Sequence, residues 1–138
     1  MSTFKDDYSF GTQSEEKNHK RIEDFLETPL IHKGGMAIFD FCNANGSVHA
    51  DLKTRRIVHD QYPTAIIGSN KVMFAENNPK SDFWFIYNYL DGFYGVKYEK
   101  KLFDTFENSL FQRGERADYS GGAQSCYFIP HKHLQKII

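Results

Sequence analysis

A chain of 138 residues is long enough to bury one hydrophobic core, which predicts a single domain. Its 17 Lys and Arg against 18 Asp and Glu leave a net charge of −1, so it lacks the broad positive field of a passive nucleic-acid-coating module. Cys42 and Cys126 show no CxxC spacing and follow no secretory signal, which excludes a disulfide framework and predicts a reducing, cytoplasmic setting. No apolar run approaches the roughly 20 residues of a membrane-spanning helix.

Residues 1–9 carry no periodic pattern and are expected to be disordered, leaving 10–138 as the domain. After Ser14, a candidate N-cap, one helical face reads Glu15, Asn18, His19, Ile22, Phe25 and Leu26. Glu16, Lys20, Glu23 and Glu27 fall on a solvated face. Glu15 is therefore in line with the stripe that packs inward, although a carboxylate in a first turn also has a purely electrostatic use there.

Phe39 to Ala44 and Ser47 to Arg55 are strand-like runs separated by Asn45-Gly46, the pattern of a two-residue type I′ hairpin turn. That turn would set Ala44 against Ser47, Cys42 against His49 and Asp40 against Asp51. Directly opposed side chains in an antiparallel pair have Cβ atoms about 4.5–5.5 Å apart, and like charges there destabilise the sheet. A divalent cation between the carboxylates removes the repulsion, and hard oxygen ligands suit Mg2+ or Mn2+. Strand alternation puts Lys53 on the side of Asp51 and Leu52 on the other. A solvated hairpin face is the competing reading. Ala37, Ile38, Phe39, Phe41, Val48, Ala50 and Leu52 are apolar on both faces, however, which favours a buried strand whose charges need a partner.

Thr64 to Glu76 reads as a helix begun by Pro63 and carrying Lys71. Phe83 to Leu90 and Phe93 to Tyr98 read as strands joined at Asp91-Gly92, their aromatic side chains serving the core rather than base stacking. Leu102 to Phe111 is expected to be a short helix, Arg113 to Gln124 a polar loop, and Ser125 to Ile129 an edge strand ended by Pro130. His131 and His133 would share one side of a strand, but these and His32, His49 and His59 lack the three- or four-ligand spacing of a zinc site and read as surface residues. His49 is the exception, two residues from Asp51 and on its face. The order predicts an α/β (α+β) fold, a central mixed sheet flanked by helices.

The arrangement Asp40, ten intervening residues, then Asp51-Leu52-Lys53 resembles the PD-(D/E)XK nuclease superfamily, which includes restriction endonucleases, archaeal Holliday-junction resolvases and many phage and viral nucleases. Phe39 stands where the motif has Pro, and Asp51 where Glu is commoner. The resemblance spans roughly residues 10 to 98. It implies a restriction-endonuclease-like core and hydrolysis of phosphodiester bonds, with DNA the expected partner. It further implies Mg2+ or Mn2+ held by Asp40, Asp51 and Glu15, with the backbone carbonyl of Leu52 assisting, and Lys53 positioning the attacking water or the phosphate. Arg55, Arg56 and Lys71, with Arg113 and Arg116 on the late loop, would meet neighbouring phosphates. A two-fold homodimer would suit cutting both strands. The alternative is a non-catalytic nucleic-acid-binding or assembly protein on the same fold.

Overall fold

In the computed structural model, residues 4–33, 37–112 and 123–137 are described. The first helix, α1, runs Phe4–Leu26, so it begins well before Ser14 and takes in residues 4–9 of the segment expected to lack order. Residues 1–3 lie outside the described set. Its inward face is the predicted one, with Asn18 and Ile22 buried, and Ser14 buried beside them. The helix ends where Glu27 takes a left-handed φ of 57°, shortly before Pro29.

Six strands form the central sheet: β1 Ile31–His32, β2 Phe41–Cys42, β3 Val48–Thr54, β5 Asp82–Tyr89, β6 Gly92–Lys97 and β9 Gln135–Lys136, in the order β1-β2-β3-β5-β6-β9. Every pairing is antiparallel except β3 with β5, whose parallel register sets Asp51 beside Phe85 and Lys53 beside Tyr87. Parallel neighbours need a crossover, and the chain between them supplies strand β4 Thr64–Gly68 and helix α2 Ser69–Glu76. A second sheet, β4-β8-β7, is built from β4, β7 Glu107–Gln112 and β8 Ala123–Pro130. The single helical turn α3 Lys100–Phe103 precedes β7.

The central sheet is covered on both faces. On one, Ile22 and Leu30 pack on Phe41, Ala50, Leu52, Ile86 and Phe93. On the other, Phe83, Phe85, Tyr87 and Tyr89 of β5 meet Val72 and Ala75 of α2, Ile67 of β4, Phe103 of α3 and Ile129 of β8. The result is a mixed α/β architecture with few helices around a central mixed sheet. Among the described residues no helix is long and apolar enough to cross a membrane.

The β2–β3 register is the predicted one, with Cys42 opposite His49 and Phe41 opposite Ala50. The turn is different. A type I′ turn needs positive φ at both central residues, and only Gly46 has it (φ 73°). The Gly46 N–H instead donates to the Asn43 carbonyl at 3.1 Å, and the Asn43 side chain accepts from the Val48 N–H at 3.0 Å. Three further expectations fail for tertiary reasons. Thr64 to Gly68 is a strand because Ala65 and Ile67 alternate inward against Ile129 and Tyr127, so the helix starts only at Ser69. Helix gives way to strand after Phe103 because β8 offers a ladder to Glu107–Gln112. That same ladder makes β8 the middle strand of its sheet, not an edge. His131–His133 is a turn of 3-10 helix rather than a strand. The polar loop falls outside the described residues at 113–122, including Arg113 and Arg116, while Ala123 and Gln124 belong to β8.

Ile22 is fully buried at the centre of the α1 contact. Ile22→Ala should lower unfolding free energy by about 2–5 kcal/mol, measured by urea denaturation, because a cavity adds to the lost transfer energy.

Candidate functional site

β3 pairs with β5 along its whole length, and its odd-numbered residues face α2. Asp51 therefore sits inside the molecule, its side chain 1% exposed. An isolated carboxylate there would cost several kcal/mol. Two ammonium groups answer it. Lys53 Nζ lies 3.2 Å from Asp51 Oδ2, and Lys71 Nζ lies 3.1 Å from Oδ1. Lys71 reaches in from α2, also donates to the Ile38 carbonyl, and rests 5.6 Å from the centre of the Phe39 ring. The Lys53 ammonium stands off the hydrogen-bonding direction, so the buried Oδ2 of Asp51 has no hydrogen-bond donor of proper geometry among the described residues.

Asp40 joins this group because β2 begins late. The strand starts only at Phe41, and just before it the carboxyl of Asp40 accepts the Leu52 N–H at 2.9 Å through Oδ2. A side chain thus caps the backbone donor that a longer β2 would have paired. It also brings the carboxyl of Asp40 to that of Asp51, although Asp40 lies just outside the β2–β3 ladder and not opposite Asp51 within it. The Leu52 backbone meets the site through this N–H. Burial, then the charge of Asp51, pushes the Asp40 carboxyl up to about 8, against the pull of the Leu52 N–H. Burial pushes Asp51 upward too, but Lys53 and Lys71, with a hydrogen bond from Asp40, outweigh it and hold Asp51 below the usual carboxylate range. At neutral pH the pair then shares one proton and one negative charge.

Glu15 is half-buried on the inward face of α1, and Glu16 is exposed, as helical phase requires. Glu15 Oε1 is bonded to His32 Nε2 at 2.7 Å, with the His32 ring stacked on Phe41. Its charge reaches Asp40 and helps raise that carboxyl. It does not share a cage with the two aspartates: among the described residues no three or more His, Cys, Asp or Glu side chains converge. The start of the inward face is fixed instead by a hydrogen bond between Ser14 and Thr54, which follows Lys53 on β3. Nothing in the pattern of apolar residues signals that bond.

Among the remaining predicted residues, Arg55 donates from Nη1 to the Thr54 carbonyl at 3.2 Å, and Arg56 is exposed just after β3. Lys71, expected at a neighbouring phosphate, is 15% exposed and held on Asp51. His49 does face the same side as Asp51, but it stacks on Phe83 and donates to the Gly46 carbonyl at 2.9 Å. Burial lowers its pKa, which favours the neutral imidazole.

The chemistry of this group is that of hard anionic oxygens in a dry setting, one of them lacking a hydrogen bond, with two ammonium groups alongside. Those oxygens fit a small divalent cation, which would displace the shared proton. The chain matches no protein-family model, and no curated protein matches it.

The shared proton has a measurable consequence. Asp40 titrates near 3.8 when free and near 8 when folded, so its stabilising contribution is complete below about pH 4 and is lost as pH rises through about 8. The depressed pKa of Asp51 acts only below that window. In EDTA, unfolding free energy from urea titrations should fall between about pH 5 and pH 8, and Asp40→Asn should flatten that decline.

Proposed function

We propose that this protein is a metal-dependent nuclease that hydrolyses phosphodiester bonds, with DNA as substrate and Mg2+ or Mn2+ as cofactor. The observation that carries this reading is the pairing of buried Asp51 with half-buried Asp40 beside Lys53. Two adjacent carboxyls, one of them inside the sheet, are costly unless the position is used, and Asp-x-Lys on β3 with Asp40 just before β2 follows the spacing of the PD-(D/E)XK resemblance. A central mixed sheet covered by helices on both faces agrees with that superfamily's core.

Asp40 and Asp51 would hold the cation, which when bound polarises the phosphate and acidifies its own water. Lys53, partly exposed, is placed to orient that water or to stabilise charge developing on the phosphate. Arg55 and Arg56, just after the same strand, would meet phosphates further along the substrate. Glu15 acts on the site from the α1 side, through its field at Asp40.

One observation favours a second reading, a non-catalytic nucleic-acid-binding or assembly protein. Lys53 and Lys71 already balance Asp51, so the group also makes sense as a structural ion cluster. The two readings separate on metal and on catalysis. Asp51→Asn and Lys53→Ala should each cut Mg2+- or Mn2+-dependent cleavage of linear, circular and branched DNA by about a hundredfold or more while circular dichroism stays native. Wild-type cleavage in both variants would favour the structural cluster. Saturating Mn2+ should raise the melting temperature of the wild type and not of Asp51→Asn, since only the native site gathers the ligands.

Glu15→Gln should reduce cleavage, whereas Glu16→Gln, on an exposed position, should leave kcat/KM within about threefold of wild type.

A further inference from the structure

Lys71 is the residue the proposed reaction leaves unexplained. Metal-bound carboxylates need their oxygens free, yet Asp51 Oδ1 is occupied by the Lys71 ammonium at 3.1 Å. The placement is specific. The ammonium bonds the Ile38 carbonyl, lies near the face of Phe39, and is carried by α2, whose Val72 and Ala75 are locked into the core. Lys53 differs from it in that its side chain is twice as exposed, at 30% against 15%. One cation on Asp51 thus stays partly exposed beside Oδ2, and the other, half as exposed, closes Oδ1.

We propose that Lys71 is the built-in counter-ion of Asp51, displaced from Oδ1 when a divalent cation enters and thereby freed to contact a substrate phosphate. The inference rests on the nuclease reading and deepens it. A cation and an ammonium cannot both neutralise the same buried oxygen at little cost, because their mutual repulsion grows in a low-dielectric setting. A long, four-carbon side chain anchored on a rigid helix can swing its charge by several ångströms without moving the backbone. In the metal-free state Lys71 keeps Asp51 from being an uncompensated buried charge. Metal and Lys71 are then alternatives at one oxygen, which makes metal uptake and exposure of a phosphate-seeking ammonium a single event.

The amine itself reports the exchange. Brief treatment of the intact chain with an amine-acylating reagent, read by peptide mass spectrometry, should show Lys71 protected in EDTA relative to Lys20, whose side chain is 79% exposed. Saturating Mn2+ should lift that protection about tenfold while leaving Lys20 unchanged. In Asp51→Asn, which cannot hold Lys71 by charge, the amine should react quickly with or without metal. Lys71→Met should bind Mn2+ about tenfold more tightly by calorimetry, and its melting temperature should rise more on adding Mn2+ than that of the wild type. The double change Asp51→Asn with Lys71→Met keeps the charge balance and should fold even if Lys71→Met alone does not. Continued protection of Lys71 in a protein whose melting temperature Mn2+ does raise would overturn the exchange and leave the nuclease reading intact. No Mn2+ effect on melting or on acylation would overturn both.

Discussion

The burial of one carboxylate sets the terms for this molecule. Asp51 is 1% exposed in the middle of a strand paired with β5 along its length, and a charge there is tolerable only with partners supplied from several directions. Lys53 comes from the same strand, Lys71 from the crossover helix, and Asp40 from just before the neighbouring strand. Each lies in a different stretch of sequence. The fold brings them together, and the group is complete only when β2, β3 and α2 are all in place.

Architecture and electrostatics are linked through that requirement. The parallel β3–β5 pairing demands a crossover, and the crossover is what places α2 over the face that Asp51 points to. Covering both faces of the sheet buries the Ala50 and Leu52 side of β3 against α1 and turns Asp51 toward the opposite layer, so that its charge stands out against its surroundings. The short β2 has a matching consequence. By beginning only at Phe41 it leaves the Leu52 N–H for the Asp40 side chain, so the start of a strand brings a second carboxyl to Asp51.

Much of this was legible in local patterns and some was not, for reasons tied to particular residues. The hairpin register survives the wrong turn type because the connection across residues 44–47, closed between Asn43 and Val48, leaves Cys42 opposite His49 just as a two-residue turn would. The phase of α1 is likewise local, which is why Glu15 falls inward and Glu16 outward even though the helix starts many residues earlier. The stretch from Thr64 to Gly68 does not declare itself a strand, because its alternation is short and runs directly into a helix. Only pairing with β8, about sixty residues further on, makes it a strand. Glu107–Gln112 is a strand for the same kind of reason, and its partner again is β8. Elements whose identity is decided by a distant ladder are not written in their own residues.

Lys71 shows how such an error propagates into the site. On a helix begun at Pro63 its direction is set by one phase, but the strand up to Gly68 delays the helix to Ser69 and re-aims every side chain on it. With that start, Val72 and Ala75 are the residues that face the core, and Lys71, one position before Val72, is carried to the rim of the same face where Phe39 and Asp51 lie. A lysine that the resemblance puts at a neighbouring phosphate becomes a half-buried partner of Asp51 by a shift in helix start alone. The distinction matters chemically, since an ammonium in solvent contributes only a screened attraction, whereas one bound to a buried carboxylate alters which proton or cation that carboxylate accepts.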